Sequence, residues 1–106
     1  MNAIISPMIL RTVFVKLHDE WSSDRGRSSI ITHSEKALQA IDGATDVVVG
    51  SPADGHSTAA WDLCIQLQFD TIESANEYTK HPAHRSYIDD FLKPKMVVMK
   101  AWNFTV

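Results

Sequence analysis

Four segments of this chain have an apolar and polar pattern that predicts β-strands, two of them by alternation and two as short runs rich in β-prone residues. The run from Met8 to Leu17 is apolar on both of its faces, which is typical of a strand covered on both sides. The clearest alternation is Trp61 to Phe69, in which Asp62 and Cys64 fall on the polar face. Its apolar face carries Trp61, Leu63, Ile65, Leu67 and Phe69. Two shorter runs, Thr45 to Val49 and Val97 to Phe104, complete the predicted strands.

Between the first two strands the apolar spacing changes to three and four residues, which predicts a helix. This helix covers Arg27 to Ile41, and the polar stretch from His18 to Gly26 supplies capping residues before it. Gly43 lies where a helix end prefers glycine. The segment Ser51 to Ala59 is rich in turn residues, so we expect an exposed, mobile loop there.

The second half of the chain predicts a pair of helices separated by a proline. The first begins at Asp70 or Thr71 and runs to about Lys80. Pro82 must interrupt it, because proline lacks the amide hydrogen and clashes with the preceding turn. A second short helix is expected from Ala83 to Leu92, with Pro82 at its first position.

The order of elements is strand, helix, strand, strand, helix pair, strand. It predicts one α+β domain with a four-stranded antiparallel sheet and helices on one face. The other face, which carries Leu10, Phe14 and Cys64, is then left uncovered. Since an uncovered apolar sheet face is an association surface, we expect a twofold homodimer in which a second copy packs there and closes a barrel.

Composition narrows the class of protein without changing this architecture. The 106 residues fit a single domain, predicted over residues 8–106 behind an N-terminal tail of residues 1–7. The formal charge is −3 and the basic residues are scattered, which argues against nucleic acid or a membrane as partner. Cys64 is the one cysteine, and the first apolar stretch is too short for a membrane span or an export leader. We therefore expect a cytoplasmic protein.

Candidate chemistry concentrates in the segment YTKHPAH, residues 78–84. His81 precedes a proline and is pushed toward extended geometry, so the chain bends and lets Tyr78 and His84 face one cleft. The positive end of its helix disfavours protonation of His84, and a neutral imidazole is what a general base needs. Tyr78 can donate a hydrogen bond to a carbonyl oxygen that gains charge during a reaction.

From about Met8 to Phe104 the chain resembles the stress-responsive A/B barrel (Dabb) domain family. The matching features are the strand with VFVKL, Gly43 and Gly50 flanking the second strand, the strand and helix QLQFDTIESANEY, and HPAH at 81–84. The resemblance implies a ferredoxin-like subunit and a dimeric α/β barrel. This agrees with the uncovered sheet face.

The function implied by the resemblance differs among members of the family. The family includes plant proteins named for stress induction and a plant polyketide cyclase that closes a ring by aldol condensation without a cofactor. The catalytic tyrosine and second histidine of that cyclase correspond to Tyr78 and His84. The family usually has a histidine on the first strand facing the helices, where this chain has Arg11. Arginine stays charged and offers a planar fork of donors, so Arg11 favours a carboxylate or another anionic group.

The site prediction is a small pocket between the helices and the sheet of each subunit. The catalytic candidates are His84 as general base and Tyr78 as hydrogen-bond donor. The ligand-binding candidates are Arg11, Val13, Val15, Ile65, Leu67 and His81. No cofactor is expected, and no metal, because the two histidines lack a third ligand nearby.

Two functions stay open at this stage. One is a dimeric, stress-associated protein that binds a small hydrophobic or carbonyl-containing ligand without an assignable reaction. The other is a cofactor-independent cyclase or lyase. A pocket of several hundred Å³ at which Tyr78 and His84 converge favours the enzyme. A closed or water-filled pocket too small for a ligand favours a structural domain that binds none. Structural roles are the alternatives for His81, as a partner for the backbone, and for Arg11, as a partner for an acidic residue.

Overall fold

A computed structural model describes residues 7–106. The predicted tail, residues 1–7, therefore lies outside the described residues apart from Pro7, which is exposed. The four predicted strands are confirmed, with ends that differ by at most two residues. They are β1 Ile9–Leu17, β2 Asp46–Gly50, β3 Leu63–Phe69 and β4 Met96–Thr105. They form one antiparallel sheet in the order β2-β3-β1-β4.

The helices lie where the change of spacing predicts them, with one addition. They are α1 Asp24–Gln39, α2 Gly55–Ala60, α3 Ile72–Lys80 and α4 Pro82–Ser86, followed by a π-helical segment Tyr87–Leu92. The hydroxyl of Ser23 accepts a hydrogen bond from the Gly26 amide and starts α1, as expected of the capping stretch. Pro82 is the first residue of α4, as predicted.

The prediction of a loop over Ser51 to Ala59 was wrong in its second half. The Asp54 carboxylate accepts a hydrogen bond from the Ser57 amide at 2.8 Å and starts α2. Turn residues dominate the first half of the segment and conceal this capping signal, because Asp is equally common in turns and at helix starts. The helix ends at Trp61, whose ring lies 5.5 Å from that of Phe14 between centroids.

The predicted start of the third strand was also wrong. Since β3 begins at Leu63, alternation does not extend back to Trp61 and Asp62, and both side chains lie opposite to expectation. Trp61 packs against Phe14 on the face away from the helices. Asp62 is completely buried.

Asp62 joins three segments that are distant in sequence. Its carboxylate accepts hydrogen bonds from the Leu17 amide at 2.8 Å, the Ser22 hydroxyl at 2.7 Å and Arg27 Nε at 3.0 Å. Lys16 Nζ lies 3.5 Å away. Burial, the largest influence, acts to raise the pKa of Asp62, but these contacts together hold that pKa below its ordinary value. The network ties the end of β1 to the start of α1.

The register of the sheet decides which side chains face the helices. Arg11 of β1 lies opposite Leu67 of β3 and Asn103 of β4, and Val13 lies opposite Ile65. Directly opposite residues share a face of a sheet, so these side chains all point toward the helical layer. There they meet a core of buried aliphatic and aromatic side chains from α1, α3 and the π-helical segment.

The other face of the sheet is largely open. Val48, Trp102 and Phe104 lie on it and are 50%, 49% and 54% exposed. The segment that contains α2 covers only the end near Phe14 and Cys64. We call this surface the open face. Within residues 7–106 no helix is both long enough and apolar enough to cross a membrane.

Candidate functional site

A small cavity lies between the sheet and the helical layer, at the place where the pocket was expected. Its volume is about 20 Å³, which is room for about one water molecule. Its walls are formed by Arg11, Val13, Leu38, Ile65, Leu67, His84, Tyr87, Ile88, Leu92 and Met99. Five of the predicted site residues thus line one cavity, whereas Val15, Tyr78 and His81 are not part of its walls.

Arg11 is the one charged side chain among the cavity walls. It is half-buried, and its Nη1 donates a hydrogen bond to Asn103 Oδ1 at 3.2 Å. No carboxylate within residues 7–106 forms an ion pair with it, so the expected structural alternative of an acidic partner is not realised there. Withdrawal from water lowers the pKa of its guanidinium, although an arginine still keeps its charge.

His84 brings a neutral imidazole to the same cavity. It is buried, and its Nδ1 lies 3.1 Å from the Thr79 carbonyl oxygen. Because a carbonyl can only accept, Nδ1 carries the hydrogen, and Nε2 is left as an acceptor. Burial is the largest influence and lowers the pKa of His84. The charges of Arg11 and Arg85 lower this pKa further, whereas the hydrogen bond to Thr79 and the charge of Asp89 act to raise it. Burial is therefore a strong reason for the neutral form, in addition to the expected influence of the helix start.

Tyr78 packs behind the cavity instead of facing into it. Its hydroxyl donates to the Leu38 carbonyl oxygen at 2.7 Å, and its ring lies 5.4 Å from that of His84 between centroids. Burial, followed by the influence of Tyr87, raises the pKa of this phenol. In this conformation its one donor is occupied by the backbone. Val15 is completely buried in the core.

His81 stands at the break between α3 and α4. It is exposed, and its Nδ1 accepts a hydrogen bond from the Ala83 amide at 3.0 Å, which caps α4. This is the backbone contact that the structural alternative anticipated. Across residues 7–106, no cluster of three or more His, Cys, Asp or Glu side chains could hold a metal ion.

The site prediction missed one neighbour of the cavity, Asn103, and five of its wall residues, which are Leu38, Tyr87, Ile88, Leu92 and Met99. Tyr87 follows α4 in the π-helical segment, and its hydroxyl donates to the Ser34 hydroxyl at 2.7 Å. The sequence predicts a helix over that segment, but nothing in the pattern signals its π-helical geometry. Met99 and Asn103 share a face of β4, and their alternation could have identified them once the register with β1 was known.

A larger groove of about 390 Å³ lies on the opposite side of the sheet. The α2 segment forms one wall with Pro52, His56 and Ser57, and the sheet forms the other with Phe14 and Cys64. Cys64 is partly buried, and burial raises the pKa of its thiol. The groove opens onto the open face and shares none of the predicted site residues.

The fold recurs in solved structures of low sequence identity. A Dabb family protein with a ferredoxin-like fold from Mesorhizobium loti has a TM-score of 0.77 at 20% identity, over 92% of this chain and 95% of that chain. A dimeric ferredoxin-like protein of unknown function from Thermobifida fusca has a TM-score of 0.77 at 18% identity, over 98% and 95%. A hydroxynitrile lyase from Passiflora edulis has a TM-score of 0.77 at 10% identity, over 96% and 95%. These similarities establish the ferredoxin-like fold.

The family relation comes from the sequence itself. No curated protein matches the chain in sequence. The profile of the family described as "Stress responsive A/B Barrel Domain", or Dabb, matches residues 9–102. This range begins with β1 and includes every residue of the cavity walls. The chain therefore belongs to the Dabb family.

Proposed function

We propose that this chain is a homodimeric Dabb domain that binds a small ligand with an anionic or carbonyl group between the helices and sheet of each subunit. The observation that carries the proposal is Arg11. It is a half-buried cation in the wall of a cavity, and no carboxylate of the described residues pairs with it.

The cost of placing Arg11 there indicates a role beyond packing. A cation that is withdrawn from water loses solvation energy, and buried charges are normally paired. Arg27 shows how this chain treats a structural arginine, since it is buried and bonded to Asp24 and Asp62. Among the described residues, Arg11 bonds only to the neutral Asn103. A ligand anion, or a ligand carbonyl oxygen, would replace the water that its other donors reach.

The size of the cavity limits what enters it without rearrangement. About 20 Å³ accepts a polar head group no larger than one or two atoms. A larger ligand requires wall residues to move. Met99 is the wall residue best suited to this, because an unbranched thioether chain adapts its shape easily. By the size criterion given above, the cavity as it stands favours a structural domain, so the proposed binding requires the walls to open around the ligand.

The open face supports the homodimer. Its exposed side chains Val48, Trp102 and Phe104 form, with Phe14, an apolar surface that a second copy would remove from water. The Thermobifida fusca neighbour and another from Bacteroides fragilis are described as dimeric ferredoxin-like proteins. A twofold axis would pair the same surface on both copies.

A cofactor-independent cyclase or lyase is the second candidate, and the state of His84 favours it. A buried, neutral imidazole with Nε2 free to accept is suited to removing a proton next to a carbonyl group. One neighbour with the same fold is a hydroxynitrile lyase. In this candidate, Tyr78 would have to release the Leu38 carbonyl before it could steady a substrate oxygen.

A thermal-shift screen of small acids, aldehydes and ketones tests the ligand site. We expect some of these compounds to raise the melting temperature of wild type and none of them to raise that of Arg11→Met. This substitution keeps the length of the side chain but removes its charge. Arg85→Met is the matched control, since Arg85 is an exposed cation paired with Asp89. Compounds that stabilise Arg11→Met as much as wild type would contradict the site. Turnover of a bound carbonyl compound that disappears in His84→Ala would favour the second candidate.

Sedimentation tests the homodimer separately. We expect a species of twice the chain mass at micromolar concentration. A monomer under these conditions would contradict the homodimer and leave the ligand site to be judged by the screen.

A further inference from the structure

We propose that the cavity selects a small monocarboxylate, and that Asn103 of β4 is a positioning residue that orients Arg11 to hold it. This inference rests on the proposed ligand site. It adds the charge and shape of the ligand, and it assigns a role to a residue that the sequence pattern did not identify.

The charge of the ligand follows from the groups around the cavity. Arg11 supplies the one fixed positive charge of the walls. The nearby cation Arg85 is bonded to Asp89 at 2.8 Å, so its charge is compensated. His84 is held neutral, and Tyr87 is occupied by Ser34. One uncompensated positive charge in otherwise apolar walls matches a monoanion, whereas a phosphate dianion would leave one negative charge unpaired.

The shape of the ligand follows from the guanidinium. Arginine has five N–H donors in a planar fork, and Asn103 accepts from one nitrogen, Nη1. Among residues 7–106 no other acceptor bonds the guanidinium, and its remaining donors reach solvent, where a ligand could replace water. A carboxylate has two oxygens in one plane at the spacing that such a fork binds in a bidentate manner.

Asn103 is placed to set the plane of that fork. It lies directly opposite Arg11 in the β1–β4 register, so its side chain emerges on the same face of the sheet. Its amide oxygen accepts from Nη1 at 3.2 Å without bringing a negative charge. An aspartate at this position would also hold Arg11, but it would cancel the charge that an anion needs.

The cavity volume favours the smallest members of this class. Formate has three heavy atoms and exceeds the space for about one water molecule, but among the carboxylates it requires the smallest movement of the walls. Longer acids would direct their apolar body toward Met99 and Ile88.

Formate binding, followed by the side-chain ¹⁵Nε–H resonance of Arg11, tests the inference on the full chain. We expect wild type to bind formate at least tenfold more tightly than inorganic phosphate at pH 7. Asn103→Asp should weaken formate binding at least tenfold without loss of stability. Asn103→Ala should weaken it about threefold and lower the ¹⁵Nε heteronuclear NOE of Arg11 in the free protein. Asn103→Gln should restore part of the affinity.

Asn76→Asp is the matched control, because it adds the same charge at an exposed position of α3. It should leave formate binding within twofold of wild type. The inference is overturned if Asn103→Asp binds formate as tightly as wild type, or if phosphate binds more tightly than formate. If Arg11-dependent ligands exist but none is a monocarboxylate, this inference fails while the proposed function stands. If no compound binds in an Arg11-dependent way, both fail.

Discussion

The two sides of β1 differ in nearly every property that matters for function. Toward the helices, β1 presents Arg11 to a cavity of about 20 Å³. Away from them it presents Phe14 to a groove of about 390 Å³ and to the open face. The helical side has a small cavity with one charge that no carboxylate of residues 7–106 pairs. The open side is wide and combines Phe14, Trp102 and Phe104 with the polar Thr12 and Gln66. The first therefore suits one polar group of a small ligand, and the second suits a large partner such as another copy of the chain.

The largest effect is expected from Asp62, the buried carboxylate that connects the end of β1 to the start of α1. Asp62→Asn should lower the free energy of unfolding by about 3–5 kcal/mol, because it leaves buried Arg27 without its full partner. Urea unfolding measures this. Asp89→Asn is the control, and loss of its exposed pair with Arg85 should cost about 0–1 kcal/mol. If both substitutions lowered the free energy of unfolding equally, the buried Asp62 network would contribute no more to stability than an exposed ion pair.

The same carboxylate predicts a dependence of stability on pH. Its pKa is lower in the folded chain than in the unfolded chain, so its contribution is complete above the unfolded value of about 4. It is lost as the pH falls through the lower folded value. Wild type should therefore lose more stability than Asp62→Asn between about pH 4 and pH 2. Parallel curves for the two proteins would contradict this assignment.

The next effect concerns the open side. Phe104→Lys should weaken the proposed dimer about tenfold or more, since a charge would have to be buried where an aromatic ring now lies. Sedimentation across a concentration series gives the dissociation constant. Ile72→Lys is the matched control, because Ile72 is a similarly exposed apolar residue at the start of α3, away from the open face. Equal weakening by both variants would place the interface elsewhere.

A smaller effect tests how the cavity responds to a bound anion. A negative charge near Arg11 favours the protonated form of His84, which burial and the Arg11 charge now disfavour. By linkage, formate should bind several-fold more tightly as the pH falls below about 6.5, the ordinary pKa of histidine. An NMR titration that follows the His84 ring measures both its protonation and the binding of formate. In His84→Gln the affinity should not change with pH over this range, and a persisting pH dependence would assign it to another group.

The smallest effect is expected from filling the cavity. Val13→Ile adds one methyl group to a wall, and removing about 20 Å³ of void should stabilise the fold by about 0.5 kcal/mol. The same change should weaken formate binding. Val49→Ile is the control, since Val49 is buried in β2 and is not a cavity wall. A gain of stability in both variants would show that the effect is not specific to this void.

The fold was predictable because two periods of apolar residues carry it. Alternation and β-prone runs identified the four strands, spacings of three and four identified α1, and capping residues with Pro82 identified the helix pair, whereas the short α2 was missed. Part of the site was predictable for the same reason. Arg11 and Val13 lie on the helical side of β1, and the break at Pro82 directs His84 to that side. These positions depend on backbone geometry, which local sequence controls.

What failed depends on contacts between distant parts of the chain. The partners of Asp62 lie 35, 40 and 45 residues away, so a local pattern could not distinguish it from an exposed polar residue. The hydroxyl of Tyr78 meets a carbonyl 40 residues away, and no spacing rule indicates that its donor is occupied. The small volume of the cavity results from how Leu38, Ile88 and Met99 fill space together. Packing of this kind is a property of the assembled core.

The position of β4 at the rim of the sheet has a consequence for solubility. One side of this ten-residue strand pairs with β1, and no other strand of residues 7–106 pairs with its second side. A long, β-prone edge can act as a template for cross-β aggregation. Lys100 is the single charged residue along it. We expect this lysine to oppose such pairing, because a charge on an edge strand disfavours the addition of another chain.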